Sequence, residues 1–257
     1  MRAYHPDVTA DPAEIEKLAE LINRSARPLL YVGGGAINGD ASEELTALAR
    51  KANIPVTTTL MAMGVFPEDD PLSLRMLGMH GSVAANYAVD HCDLLISVGA
   101  RFDDRVTGKI SSFATRATIA HIDIDRSSIG KSVRADLGVH GYVKPVLAAL
   151  LPLVQEAKHE EWLEQVNRWK DRFPFTYSQK GEEIMPQYVI EQIYEVSKGR
   201  AVIVTDVGQH QMWATQYYRY TKPRHFLSSG GLGTMGFGLP AAIGAQLGRP
   251  DELVVCI

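Results

Sequence analysis

Residues 11–35 read DPAEIEKLAELINRSARPLLYVGGG, and the fold class follows from them. Ile15, Leu18, Ala19 and Ile22 recur at helical spacing behind an Asp11-Pro12 start, where the acid can cap and proline is tolerated at the first helical position. RPLLYV is then a short apolar strand closed by glycines. Helix, strand and glycine turn together make one α/β step.

The step repeats outward along the chain. Helix ASEELTALARKAN leads into strand IPVTTT, helix SVAANYAVDH into strand CDLLISVGA, and strand ATIAHIDID is followed by GVHGYV and helix KPVLAALLP. Such alternation predicts an α/β fold over residues 1–155: a parallel sheet with helices on both faces, Rossmann-like in outline. From Pro152 to Gly181 charged and aromatic residues take over. Trp162, Val166 and Trp169 fall at helical spacing there, so residues 156–180 are read as a helical linker packed on a domain surface rather than as an aromatic binding platform. A second α/β segment fills residues 181–257, with strands AVIVTD, HFLSS and LVVCI alternating with helices PQYVIEQIYEVS, HQMWATQYYR and GLPAAIGAQL. LVVCI stops without a turn or polar tail, so this second domain is expected to be truncated.

Hydrophobic residues at 46% and charged residues at 22% exclude intrinsic disorder. A net charge of -4, with 26 basic residues interspersed among 30 acidic ones, offers no stripe for nucleic acid or an anionic membrane. No apolar run reaches the roughly 18 residues of a membrane span, and MRAYHPDVTADP lacks the hydrophobic centre of a signal peptide, so a cytoplasmic location is expected. Cys92 and Cys256 both lie beside apolar strand-like runs and are expected to be buried, reduced thiols.

Ligands of open parallel sheets bind at the carboxyl ends of strands, where loops and helix N-termini converge, so each motif is weighed by position. Gly33, Gly34 and Gly35 follow the first strand and let backbone approach a ligand, though a tight turn alone explains them too. GARFDDRVTG, residues 99–108, carries Arg101, Asp103, Asp104 and Arg105. It reads either as a solvated, self-paired loop or as a guanidinium fork for a phosphate or carboxylate, held by the aspartates. HIDID, residues 121–125, ends a strand with Asp123, placed to meet a ribose hydroxyl, and with Asp125, which a helix cap explains equally well. LGMHG, residues 77–81, sets Met79 and His80 before a helix, and a lone histidine decides nothing.

In the second segment, Asp206-Val207-Gly208-Gln209-His210 joins a strand to a helix, which makes a diphosphate-type anion site unless Asp206 merely caps the helix. SSGGLGTMGFGLPAA, residues 228–242, holds Gly231, Gly233 and Gly236 at the spacing of a dinucleotide fingerprint. That reading requires an acid at the carboxyl end of the next strand, whereas Asp251 and Glu252 precede it. No cysteine–histidine metal spacing, nucleophile elbow or Walker lysine is present.

MLGMHG, GARFDDRVTG, HIDID, VTDVGQHQMWATQYY and SSGGLGTMGFGLPAAIGAQ occur in this order, and together the sequence resembles the catalytic subunits of the acetolactate synthase (acetohydroxyacid synthase) family, over essentially its whole length. The resemblance implies a thiamine diphosphate enzyme of branched-chain amino acid synthesis. Such an enzyme decarboxylates pyruvate and joins the two-carbon unit to a second 2-oxo acid, pyruvate or 2-oxobutyrate. It implies a central FAD-binding domain, then the first part of a diphosphate-binding domain. By motif, Gly208, Gln209 and His210 correspond to diphosphate contacts, and Gly233 and Met235 to the support of the bent cofactor. Arg105, with Met79 beside it and Asp104 positioning it, corresponds to the holder of the second substrate's carboxylate. The implied FAD contacts are Gly34, Thr59, Leu60, Met61, Gly78, His80, Gly99, Arg101, Asp103, Val106, Asp123 and Ile124. Where the family usually has Gly-Asp, this chain has Gly141-Tyr142, which puts a local adenine-side contact in question.

The family's catalytic glutamate belongs to an N-terminal domain, and its Mg²⁺ motif would begin just after LVVCI, so no metal ligand is assigned in this chain. The resemblance further implies a homodimer or homotetramer with sites between subunits and leaves open whether a regulatory small subunit binds. On this basis the 257 residues alone are expected to be inactive. Two competing readings are a nicotinamide oxidoreductase using Gly231–Gly236, and a non-catalytic flavin-binding module made of the first 155 residues.

Overall fold

In the computed structural model, which describes residues 9–179 and 181–257, two parallel sheets carry the chain. The signal-peptide reading of residues 1–8, and Lys180 at the expected linker boundary, lie outside the described residues. Strands β1 (Pro28–Val32), β2 (Val56–Thr58), β3 (Ser73–Met76), β4 (Leu94–Val98), β5 (Thr118–Asp123) and β6 (Leu137–His140) form the first sheet in the order β3-β2-β1-β4-β5-β6. Every pairing is parallel. The second sheet has the order β8-β7-β9, from β7 (Val202–Thr205), β8 (Phe226–Ser228) and β9 (Val254–Cys256), again parallel.

Helices α1 (Pro12–Arg24), α2 (Gly34–Asn38), α3 (Ser42–Lys51), α4 (Val83–His91), α5 (Asp104–Thr107), α6 (Val143–Leu150) and α7 (Glu160–Arg172) accompany the first sheet, and α8 (Pro186–Ser197), α9 (Gln209–Tyr217) and α10 (Gly238–Gly248) the second. Asp11 caps α1 by accepting the Ala13 N–H, with Pro12 behind it. One face of the sheet buries Leu30, Val32, Ile96 and Val98 against α1, α3 and α6. The other buries Leu29, Tyr31, Leu95 and Ile119 against α4 and α7. Because both faces are covered, β1 and β4 are apolar or buried at every position rather than alternating.

Helix α7 packs on α4 through Trp162 and Val166, and the Trp162 indole N–H donates to the Pro28 carbonyl at 3.0 Å, so it is a packed helix and not an aromatic platform. Strand β3 is not legible in the sequence: it is four residues long and contains Arg75 at φ +62. Cys92 is buried as expected, whereas Cys256 is exposed on the edge strand β9. Among the described residues no helix is long and apolar enough to cross a membrane.

Candidate functional site

The strand order of the first sheet reverses between β1 and β4, and there the glycines after β1 meet Gly99. The Gly33 N–H donates to the Val98 carbonyl at 2.9 Å and the Gly35 N–H to the Gly99 carbonyl at 3.0 Å. A Cβ at Gly33 would lie 2.2 Å from the Gly99 oxygen, and one at Gly35 would lie 2.8 Å from the Gly99 Cα. Gly33, Gly35 and Gly99 therefore serve the packing of one loop on the other. Of the run expected to face a ligand, only Gly34 does not contact Gly99; a side chain there would crowd the Met61 Cβ at 3.1 Å. Thr59, Leu60 and Met61 follow β2, with the Thr59 N–H on the Val32 carbonyl and Leu60–Ala62 in one 3-10 turn.

After β4, Phe102 adopts φ +56 and is buried against Tyr31, Phe113 and His121. That left-handed residue turns inward while Arg101 and Asp103, its neighbours, stay more exposed beyond the carboxyl end of β4. Arg101 Nη2 donates to Asp103 Oδ2 at 2.5 Å, and Asp103 Oδ1 accepts the Arg105 N–H as the cap of α5. Burial alone would push the Asp103 carboxyl up, but the Arg105 N–H and the Arg101 guanidinium outweigh it and hold it below the usual range.

Arg101 is thus engaged, whereas among the described residues the Arg105 guanidinium has only Asp104 as an ion-pair partner, at 3.8 Å, with both side chains largely exposed. Such a pair is worth little, so Asp104 restrains Arg105 weakly. The Met79 N–H donates to the Arg105 carbonyl at 2.9 Å, which sets the two expected substrate residues side by side. Gly78, at φ +92, permits this: a Cβ there would lie 2.6 Å from the Arg105 oxygen and 3.0 Å from the Val106 Cα. The His80 carbonyl accepts Gln216 Nε2 at 2.9 Å, joining this loop to α9.

Asp123 ends β5 with one oxygen on the Asp125 N–H and the other 3.7 Å from His121 Nε2. The neighbouring Ile124 side chain is exposed. Asp125 binds the Ser127 N–H and the hydroxyls of Ser127 and Ser128, closing a turn rather than starting a helix. Tyr142 occupies the N-cap position of α6 and supplies no side-chain hydrogen bond; it lines an apolar groove of about 700 Å³ with Ile15, Pro145, Val146 and Leu153.

In the second sheet the alternative in which Asp206 merely caps α9 does not hold. The N-cap is Gly208, at φ 151, with no side-chain acceptor. Asp206 instead accepts the N–H groups of Val207 at 2.8 Å, Gly236 at 2.9 Å and Gly238 at 3.1 Å, which ties β7 to the start of α10. Those backbone donors hold its carboxyl below the usual range. The α10 N-terminus is therefore already matched to a negative charge, which argues against a dinucleotide pyrophosphate at Gly231–Gly236. At α9, among the described residues, no acidic side chain takes that place, and His210 Nε2 is buried without a partner.

Gly233 and Gly236 both have positive φ, and Met235 between them is 81% exposed. Gly230 packs so closely on the Leu60–Met61 turn that a Cβ would lie 2.5 Å from Met61 Sδ, so the two halves of the site abut. Sequence reading missed the support beneath: Gln211 Nε2 donates to Ser228 Oγ at 2.5 Å, and Ser228 pairs with Thr205 Oγ1 at 2.8 Å, all buried. Among the described residues no group of three or more His, Cys, Asp or Glu gathers as a metal site.

Residues 15–150, over half of the chain, match the family described as "Thiamine pyrophosphate enzyme, central domain". The chain belongs to the thiamine pyrophosphate enzymes. Residues 206–257 of this thiamine pyrophosphate enzyme match "Thiamine pyrophosphate enzyme, C-terminal TPP binding domain". It is 50% identical over 253 residues to "Acetolactate synthase, chloroplastic" of Arabidopsis thaliana, covering 96% of this chain and 38% of that protein. It is 52% identical over 249 residues to "Acetolactate synthase 1, chloroplastic" of Oryza sativa subsp. japonica, covering 95% and 38%. With "Acetolactate synthase large subunit" of Parasynechococcus marenigrum (strain WH8102) it shares 50% over 258 residues, covering 99% and 41%. The chain thus spans about two fifths of the length of these curated relatives. The free α9 N-terminus and the unpartnered His210 nitrogen fit the diphosphate of thiamine pyrophosphate.

Proposed function

We propose that this chain is part of an acetolactate synthase catalytic subunit, which uses pyruvate and a second 2-oxo acid, pyruvate or 2-oxobutyrate. The observation that carries this reading is the Arg105 guanidinium: held by its backbone to Met79, weakly paired and exposed, it is free to take a carboxylate. Arg105 binds that carboxylate as a planar fork, and Met79 supplies an apolar wall beside it. Bound thiamine diphosphate supplies the electron sink for decarboxylation. The α9 N-terminus, Gly208 and His210 hold its diphosphate. Asp206 fixes the 229–238 loop so that Gly233 leaves room and Met235 presents an apolar support.

FAD is proposed at the reversal of strand order. The support is the bare backbone of Gly34 beside Met61, with Arg101 and Asp103 after β4 and Asp123 and Ile124 along the same carboxyl rim. The described residues do not supply a Mg²⁺ ligand set, so no step here runs through the ion. Assembly as a homodimer or homotetramer is proposed from the family resemblance, and the name "large subunit" carried by one relative leaves room for a smaller partner subunit. The exposed apolar stripe of Leu239, Ile243 and Leu247 on α10 supports burial against further protein. A cytoplasmic setting is proposed from the two free thiols.

The test is acetolactate production from pyruvate by the full-length protein carrying this chain, and by its Arg105→Gln variant. Loss of the fork is expected to lower kcat/KM on the order of 100-fold, chiefly through use of the second 2-oxo acid. An unchanged value overturns the assignment of Arg105.

A further inference from the structure

Away from the site, a buried ion pair beside the first sheet, Arg75 with Glu68, reaches the segment of the second sheet through hydrogen bonds. Arg75, in β3, holds φ +62, a backbone conformation that a non-glycine residue keeps only when its surroundings enforce it. Its Nη2 donates to the Tyr218 carbonyl at 2.8 Å and the Thr215 carbonyl at 3.4 Å, so a cation closes the C-terminal end of α9, where the helix dipole favours it. Its Nε lies 3.5 Å from Glu68 Oε2, and the Phe175 ring covers the guanidinium at 5.5 Å. The same Glu68 oxygen accepts the Tyr220 N–H at 3.0 Å, while the Glu68 N–H donates to the Tyr220 carbonyl at 3.0 Å.

Neither sheet needs this pair for its own assembly, since β3 is already paired to β2, and α9 already packs on α8 and β7. What the pair sets is the relation between them. Strand β3 runs directly into Gly78, Met79 and His80, and α9 begins at Gln209 and His210. The Gln216–His80 hydrogen bond ties the same helix to the same loop a second time.

We propose that Arg75 and Glu68 are positioning residues, a buried clamp that locks the C-terminal end of α9 to β3 and so holds Gly208–His210 in register with Met79 and Arg105. The clamp's purpose rests on the reading of those five residues as cofactor and substrate contacts. Its existence as a local lock does not.

The experiment uses the full-length protein with Arg75→Gly, which suits the left-handed backbone, and Arg75→Gly/Glu68→Gln, which leaves no buried charge behind. Arg75→Lys keeps the charge without the fork. In both glycine variants amide exchange over residues 209–217 is expected to quicken about tenfold while β1 and β4 stay protected. Thiamine diphosphate affinity, titrated calorimetrically with Mg²⁺ present, is expected to weaken about tenfold with FAD retention unchanged, and Arg75→Lys to restore part of both. Wild-type exchange in 209–217 in a folded glycine variant overturns the clamp, as does a loss of protection spread over the whole molecule in both. Failure of the cofactor reading shows differently, as no thiamine diphosphate binding by the unsubstituted protein, and the exchange arm then decides alone.

Discussion

The backbone N–H of Met79 donates to the carbonyl of Arg105 at 2.9 Å, fastening the loop after β3 to α5 across residues that are far apart on the sheet. The bond needs Gly78, whose φ of +92 and missing Cβ let the two backbones touch. Gly78→Ala is expected to cost about 1–3 kcal/mol. The KM for the second 2-oxo acid should rise more than kcat falls, because Arg105 is displaced rather than removed. Thermal melting and steady-state kinetics on the full-length protein measure both.

Asp206 provides a second expectation. The N–H groups of Val207 and Gly238, then that of Gly236, depress its folded pKa, so its contribution to stability is present above the unfolded value and lost as pH falls through the folded one. Asp206→Asn is expected to weaken thiamine diphosphate binding by loosening the Gly233–Met235 loop, and to reduce the loss of stability on acidification. Calorimetric titration and melting temperatures across pH 3–6, the range roughly bracketing a carboxylate's ordinary titration, check it.

Glu68 titrates in the opposite sense. Burial pushes its carboxyl from the ordinary 4.5 up to about 7, against the pull of Arg75, the Tyr220 N–H and Arg219. A raised folded pKa means stability that is full below 4.5 and lost as pH rises through about 7. The melting temperature is therefore expected to fall across that window, by the equivalent of at most about 3 kcal/mol. Glu68→Gln should flatten the fall.

Tyr142 leaves the N-terminus of α6 without a side-chain acceptor. Tyr142→Asp is expected to stabilise the protein by about 1 kcal/mol. The gain is limited because Pro145 has no N–H and only the Lys144 N–H can be capped. A rise in melting temperature of a few degrees is the readout; no rise would mean that the lost packing in the groove outweighs the cap.

Most of the first sheet was legible because its signals are local. A both-sides-buried strand such as LLYV or LLISV is apolar throughout, and helices such as α1 bring their own cap and stripe. Strand β3 was not, since its pairing to β2 outweighs the poor strand character of a four-residue segment with Arg75 at φ +62. In the candidate site, Arg101, Asp103, Arg105 and His210 were readable from their place after strands. The task of Asp206 was not, because its partners Gly236 and Gly238 are thirty residues on and become neighbours only through the β7–β8 pairing. The three glycines after β1 were read together, yet packing separates Gly33 and Gly35, which contact Gly99, from Gly34, which does not.

The sequence by itself determined the α/β class, the carboxyl-end position of every motif and the resemblance that names their chemistry, because periodicity, caps and turn glycines act over a few residues. Only the tertiary structure decided which arginine is engaged and which is free, which helix Asp206 caps, and how Arg75 and Glu68 bind one sheet to the other. Those outcomes depend on distances between segments far apart in the chain, which burial and hydrogen-bond satisfaction select and which no local pattern encodes.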